Sequence, residues 1–245
     1  DRRQRQMCIR DRAFEDLWPS QGDYDMNDVV VGYSTTFTVD KDNRIVAIRD
    51  VVTPLHSGGK LRSAFGYQLD IPVTAVKGVK IENGSSTAGL EKNQDKAVVI
   101  LFDDIEQAVA RGPVSVEIEL DGSLSMDKVT RKSLYNPFIC VSDKGFVPGA
   151  VRKEIHLTNY PPTSLADPYP FGRNDDKSSL DKAGNPIGPY YYATSELYPF
   201  AIDLPVTDYR IPDEMVKIDV FYPDFAGWVK SRGEKHKEWY KNSVK

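Results

Sequence analysis

Residues 14–33 read FEDLWPSQGDYDMNDVVVGY and join an acidic segment directly to a run of valines. The valines open a longer stretch, DVVVGYSTTFTVD at 28–40, in which apolar and polar residues then alternate. Alternation with a period of two predicts a β-strand with one buried face. A turn at 41–43 and the apolar segment RIVAIRDVVTPL at 44–55 predict an antiparallel partner that completes a hairpin.

Similar short apolar patterns, separated by turn residues, continue along the chain. Further strands are predicted at 63–72, 75–83, 96–104, 114–122, 135–141 and 153–162. Residues 104–112 have the pattern of a short helix or a loop. Short strands at this spacing predict a mainly β protein, an antiparallel β-sandwich of jelly-roll-like form.

The C-terminal third of the chain has a different composition. Residues 160–212 are rich in proline, with tyrosines between the prolines. Since Pro189, Pro199 and Pro205 cannot donate a hydrogen bond to a sheet, this stretch cannot be a central strand throughout. We therefore expect a long ordered loop that packs on the sandwich through its aromatic side chains.

A C-terminal helical segment is predicted after this loop, over residues 212–233. Pro223 is expected to kink or restart the helix, and a last short turn is expected to dock Trp239. The expected apolar face consists of Met215, Ile218, Tyr222, Phe225 and Val229.

Composition and charge restrict the class of protein. The chain has 245 residues, which is enough to bury a core without disulfides or metals. The net charge of −4 gives no basic surface of the kind that binds nucleic acid. No apolar run approaches the length of a transmembrane segment, and two cysteines are too few for a disulfide framework.

The first twelve residues, DRRQRQMCIRDR, contain five arginines and almost no apolar residues. They resemble a translated sequencing adapter, and the alternative interpretation is a disordered basic arm. We therefore expect residues 1–12 to be a non-native or disordered leader and residues 13–245 to form a single domain.

The acidic part of the opening stretch is the first candidate for a functional site. Calcium takes six to eight oxygen ligands, and oxygens at alternate loop positions can turn toward one centre. The spacing begins like an EF-hand, but position six is Asp28 instead of glycine and position twelve is Ser34 instead of glutamate. More distant acids, such as Asp103 or Asp104, would then complete the site.

The alternative is a metal-free turn held by Asp and Asn side chains. The candidate ligands in the stretch are Glu15, Asp16, Asp23, Asp25, Asn27 and Asp28.

Other chemistry has weaker support in the sequence, which lacks the usual nucleophile, phosphate-loop and zinc motifs. His156 is expected to be a hydrogen-bonded strand histidine, and Cys140 a buried small apolar residue. Adjacent acids on a strand point to opposite faces, so the doublets at 103–104 and 175–176 do not form a glycosidase pair. Residues 171–186 are interpreted as a polar loop and as a second candidate for a cation site.

Aromatic residues near the C-terminus allow two interpretations. Trp228, Trp239 and the tyrosines at 190–192 are expected to pin the loop and the helical segment to the core. Stacking on sugar rings is the alternative.

Several of these motifs together resemble the LruC domain family of bacterial envelope or secreted proteins, frequent in gut Bacteroidetes. They are FEDLWPSQGDYDMNDVVVGY, AVVILFDD, NPFI, EIHL, PPTSLAD and YPFAIDLP, followed by a helix ending in W and a final WY. The resemblance covers residues 13–245. It implies a calcium site at the six residues named above, in an extracellular, cell-surface or outer-membrane setting.

The function expected from the sequence is a non-catalytic extracellular or cell-surface module with a structural calcium loop. A glycan or a surface protein is the expected partner. A secreted hydrolase acting on polysaccharide or peptide is one alternative, and an adhesin or fimbria-like assembly subunit is another.

Overall fold

The computed structural model describes residues 2–244, except for the side chains of residues 6–8. The helices in this part of the chain are α1 (Ile105–Arg111), α2 (Arg131–Leu134), α3 (Ile218–Phe221) and α4 (Phe225–Lys230). Short 3-10 turns lie at Val73–Ala75, Met126–Lys128 and Trp239–Lys241. The strands, in chain order, are β1 (Arg3–Phe14), β2 (Val29–Val39), β3 (Ile45–Ser57), β4 (Arg62–Pro72), β5 (Val76–Glu82), β6 (Gly89–Leu90), β7 (Lys96–Phe102), β8 (Val114–Leu120), β9 (Tyr135–Ser142), β10 (Glu154–His156) and β11 (Ala201–Leu204).

The strands form two antiparallel sheets that pack as a sandwich. The first sheet has the order β11-β1-β2-β3-β8-β5, and the second has the order β10-β9-β4-β7-β6. Apolar residues from both sheets share one large buried cluster between them. The prediction of a mainly β, antiparallel sandwich is confirmed. The predicted hairpin is also confirmed, because β2 pairs with β3 along its whole length.

The valine run lies where the first sheet is covered on both faces. Val29 and Val31 face the core between the sheets. Val30 faces a second apolar cluster, where it packs with residues of the C-terminal segment such as Ile202 and Phe225. Because both faces are buried at this point, apolar residues follow one another without the alternation seen further along β2.

Residues 3–12 differ from the expectation of a leader outside the fold. They belong to β1, which pairs with β2 from Arg3 to Phe14. The side chain of Arg12 is buried, its Nε donates to Asp203 at 2.9 Å, and its guanidinium lies 3.9 Å from the ring centroid of Tyr33. Backbone pairing and this ion pair order a segment whose composition suggested disorder.

The proline-rich stretch is an ordered, mostly irregular segment, as predicted, but it contains one strand that the prolines obscured. β11 lies between Pro199 and Pro205 and pairs with residues 11–14 of β1. At the edge of a sheet a short strand can be bounded by prolines, since only one of its sides must form ladder hydrogen bonds.

The C-terminal segment is less helical than predicted. Two short helices, α3 and α4, replace a continuous helix over 212–233, and Pro223 lies between them as expected. Met215 is 75% exposed and has a positive φ of 64°, so it lies outside the helix and outside the apolar face. The second apolar cluster does contain the other expected residues, namely Ile218, Tyr222, Phe225, Val229 and Trp239.

Among residues 2–244, no helix is both long enough and apolar enough to cross a membrane.

Gly66 gives a test of the packing between strands β4 and β7. A Cβ atom at Gly66 would lie 2.6 Å from the carbonyl oxygen of Val99 and 2.9 Å from Ile100 Cδ1. We expect Gly66→Ala to lower the free energy of unfolding by roughly 1–3 kcal/mol, because the backbone must shift to admit the methyl group. Urea denaturation measures the change.

The matched control is Gly78→Ala in β5, where an added Cβ meets no atom within 4 Å. Its effect should stay within about 0.5 kcal/mol. Equal stabilities of the two variants would contradict this description of the β4–β7 contact.

Candidate metal centre

The acidic stretch forms the loop between β1 and β2, and the pairing of these strands brings its two ends together. Phe14, the last residue of β1, lies opposite Val29, the first residue of β2. Glu15 and Asp28 are therefore the first residues beyond the last residue pair of the β1–β2 ladder. This explains how acids that are thirteen positions apart become neighbours.

The loop backbone separates apolar from acidic side chains. Tyr24 and Met26 have positive φ angles of 55° and 56°. Both side chains are buried in the second apolar cluster, and the Tyr24 hydroxyl donates to the carbonyl oxygen of Pro199 at 2.6 Å. The residues that alternate with them are Asp23, Asp25 and Asn27, so the anchoring of Tyr24 and Met26 positions the oxygens between them.

Backbone N–H groups fix one oxygen of several carboxylates. Met26 N donates to Glu15 Oε1 at 2.5 Å, and Asp16 N donates to Asp28 Oδ2 at 2.7 Å. Met215 N donates to Asp25 Oδ2 at 2.9 Å. These bonds orient the carboxylates and leave each second oxygen turned elsewhere.

Four oxygens of the loop are buried without any hydrogen-bond partner. They are Glu15 Oε2, Asp16 Oδ2, Asp25 Oδ1 and Asn27 Oδ1. Their residues are between 0% and 3% exposed, so solvent does not supply the missing donors. A buried polar group without a partner costs about 1–3 kcal/mol, and more when it is charged. The oxygens therefore fit a bound cation, which would replace the missing donors.

Asp50 and Asp176, two buried carboxylates outside the loop, have partners on both oxygens. Asp50 accepts hydrogen bonds from Thr35, Tyr67 and Tyr135. Asp176, one of the candidates for a second cation site, accepts from Trp18 Nε1 and from residues of its own loop. The acidic loop is distinct from these carboxylates, since its missing partners are not a general feature of this fold.

Burial and mutual repulsion raise the pKa values of the loop acids. Burial, reinforced by the charge of Asp16, raises the pKa of Asp28 from 3.8 to about 8. Burial also raises the pKa of Asp25 to about 6 and that of Glu15 well above its usual range, with Asp28 adding to the effect on Glu15. Without a cation, the folded loop thus resists full ionisation.

Glu214 joins the site from a distant part of the chain. Asp23, Asp25 and Glu214 place one carboxylate oxygen each within 4.8 Å of one another. Glu214 is close because Met215 N bonds to Asp25 and Asn27 Nδ2 donates to the carbonyl oxygen of Pro212 at 3.2 Å. Sequence reasoning missed this residue, since nothing in a segment interpreted as a helix start indicates a contact with residues 23–27.

The proposed distant ligands Asp103 and Asp104 are engaged elsewhere. Asp103 accepts from Thr87 Oγ1 at 3.0 Å, and Asp104 caps α1 by accepting from the backbone of Glu106 and Gln107. The structure therefore does not bring this doublet into the acidic loop.

His156 and Cys140 have the structural roles expected of them. His156 is buried in β10, with Nδ1 2.7 Å from Asn136 Oδ1 and Nε2 2.9 Å from Glu154 Oε2. Its ring stacks on Phe138. Cys140 is a buried free thiol.

The aromatic residues near the C-terminus divide into packed and exposed groups. Trp239 and Tyr192 are buried in the two apolar clusters, and Trp228 packs against Trp239 with ring centroids 5.6 Å apart. Tyr190 is 51% exposed. The expectation that these residues pin the loop and helices holds for the packed group.

The raised pKa values predict how the stability of the metal-free protein changes with pH. Asp25 and Asp28 have folded pKa values of about 6 and about 8, above the ordinary value of 3.8. The folded state then binds more protons than the unfolded chain between about pH 4 and 8. Asp25 and Asp28 therefore make their full contribution to the free energy of unfolding below about pH 4. That contribution is lost as the pH rises toward about 8.

Urea denaturation in EDTA at a series of pH values measures this contribution as the difference between wild type and Asp28→Asn. We expect the advantage of the wild type to shrink as the pH rises from 5 to 8, because the variant lacks the group with the higher pKa. An advantage that grows over this range would contradict the assignment.

Comparisons with known proteins agree with the fold. The structure is similar to the 2.08 Å crystal structure of a protein described as a "Putative lipoprotein from Bacteroides ovatus", with a TM-score of 0.68. The two chains are 19% identical, and the match covers 99% of this chain and 74% of the other, which shows a shared fold. A search of curated proteins finds no match. Residues 43–240 match a domain of unknown function, DUF4842, and the chain therefore belongs to the DUF4842 family.

Proposed function

We propose that this protein is a non-catalytic β-sandwich module of the LruC type, extracellular or on the cell surface, that binds calcium in the loop between β1 and β2. The observation that carries the proposal is the set of four buried, unpartnered oxygens in that loop. Asp23, Asp25 and Glu214 add a group of carboxylates close enough together to hold one ion.

The chemistry of the ligands favours calcium. Every candidate donor in the loop is a carboxylate or amide oxygen, which suits a hard cation. Calcium accepts six to eight oxygens in irregular geometry, whereas magnesium demands a near-ideal octahedron and keeps several waters. A dissociation constant on the order of 10⁻⁴–10⁻³ M is adequate at extracellular calcium levels.

Within this proposal the ion has a structural role. The acidic loop connects β1 to β2 and also contacts the C-terminal segment, where Ile218 N donates to the carbonyl oxygen of Tyr24 at 2.8 Å. A cation bound by Asp23, Asp25 and Glu214 would remove their repulsion and hold the turn before α3 against the loop. The ion then joins the second apolar cluster to the sandwich.

The envelope location and the partner are further parts of the proposal. Similarity to a protein described as a putative lipoprotein supports an envelope setting. Tyr169 and Tyr190 are 67% and 51% exposed, and aromatic rings of this kind are suited to stacking on sugars. A glycan or a surface protein is therefore the proposed partner.

Thermal unfolding of the full chain in EDTA, and in calcium or magnesium at about 10–100 mM, tests the calcium site. Calcium at about a hundredfold above its dissociation constant should add roughly 2.7 kcal/mol. For a chain of this size the midpoint should rise by about 5–11 °C. Asp23→Ala and Asp25→Ala should abolish most of the rise, since both residues supply candidate ligands.

The control is Glu196→Gln, which removes an exposed acid outside the loop and should preserve the calcium response. A midpoint unchanged by calcium, or raised equally by magnesium, would refute a calcium-specific site.

A further inference from the structure

Apart from Glu15, the candidate ligand side chains in and beside the loop form two sets that face different neighbours. The outer set consists of Asp23, Asp25 and Glu214, and it faces the turn before α3. The inner set consists of Asp16, Asn27 and Asp28, and it faces the loop between β3 and β4.

Two glycines define the inner set. A Cβ atom at Gly59 would lie 2.2 Å from Asp16 Oδ2 and 2.9 Å from Asp28 Oδ1. A Cβ atom at Gly58 would lie 2.1 Å from Asn27 Oδ1. Three oxygens from three residues therefore converge on one dipeptide, which can approach them only because it has no side chains.

The inner set has its own unpartnered oxygens. Asp16 Oδ2 and Asn27 Oδ1 are buried without a hydrogen-bond partner, and their residues are 3% and 1% exposed. Gly58 N donates to the backbone carbonyl oxygens of Asn27 and Asp28 at 3.1 Å. Both unpartnered side-chain oxygens are therefore shielded from solvent and lie against this dipeptide.

The inner and the outer set contact different segments of the chain. Asp23, Asp25 and Glu214 place one carboxylate oxygen each within 4.8 Å of one another, beside the turn before α3. Asp16, Asn27 and Asp28 instead lie against Gly58 and Gly59 of the β3–β4 loop. Each set therefore has its own group of oxygens and its own neighbouring segment.

The charge of the region also exceeds what one ion balances. One cationic side chain lies close by, since Lys153 Nζ donates to the carbonyl oxygen of Asp16 at 3.0 Å. When all six carboxylates are ionised, one divalent ion together with Lys153 balances half of their charge, and the unbalanced charges repel one another at low dielectric. The carboxylates concerned are Glu15, Asp16, Asp23, Asp25, Asp28 and Glu214.

We propose that the acidic loop binds two calcium ions, an outer ion held by Asp23, Asp25 and Glu214 and an inner ion held by Asp16, Asn27 and Asp28. This inference rests on the proposed function, since it assigns the number and places of the ions. The outer ion fastens the turn before α3, and the inner ion fastens the β3–β4 loop. Calcium thereby joins three segments that are distant in sequence.

Native mass spectrometry of the full chain, titrated with calcium alone, counts the bound ions. Wild type should bind two ions. Asp16→Asn should lose the inner ion and keep the outer one, and Glu214→Gln should do the reverse. The double variant should lose both, and Glu196→Gln should keep both.

A wild type that saturates at one ion would overturn the inference and leave the proposed calcium site intact, whereas a wild type that binds none would overturn both. Two ions retained in Asp16→Asn would overturn the assignment of the inner ligands. The number of calcium ions bound by the wild type tests the two-ion proposal even where a variant fails to fold.

Terbium in place of calcium gives an independent measurement. Two luminescence lifetimes in water are expected, the longer one from the buried inner position with fewer bound waters. Glu214→Gln should remove the shorter lifetime. A single lifetime in the wild type would contradict two positions.

Discussion

The burial of several carboxylates between β1 and β2 is the constraint on which the rest of this structure depends. Isolated charges are expensive to remove from water, and like charges at close range make the burial more expensive. The loop between β1 and β2 nevertheless buries four acids close together. Glu15, Asp16, Asp25 and Asp28 are all at most 6% exposed. Asp50 and Asp176 are also buried, but they have donors on both oxygens. The contrast supports the proposed cation site in this loop.

The surrounding elements hold that site in place. The β1–β2 ladder closes the ends of the loop, and the second apolar cluster anchors Tyr24 and Met26. Gly58 and Gly59 bring the β3–β4 loop into contact, while the turn before α3 contributes Glu214. Packing of apolar side chains therefore supplies the free energy that keeps repelling oxygens together. A bound cation would attract the carboxylate oxygens that otherwise repel one another, and it would thereby hold these segments together.

This arrangement makes the loop a junction as well as a candidate metal centre. Both apolar clusters are adjacent to it, because Val29 and Val31 enter one cluster and Val30 enters the other. Movement of the loop would therefore disturb the sandwich core and the C-terminal segment together. A structural ion is suited to such a position, since it links distant segments without needing a large core of its own.

Local patterns in the sequence are enough to predict the strand pattern, the sandwich class and the segment that carries the acids. Alternation and turn residues are local signals, so the β2–β3 hairpin and most strands could be predicted from them. Residues 3–12 and β11 were missed, because their order comes from pairing with β2 and with β1 across long stretches of chain. By contrast, the positions of Glu214, Gly58 and Gly59 around the loop, and the four unpartnered oxygens, are visible only in the folded protein. Burial and convergence are properties of chain segments brought together by packing, and no local pattern of residues encodes them.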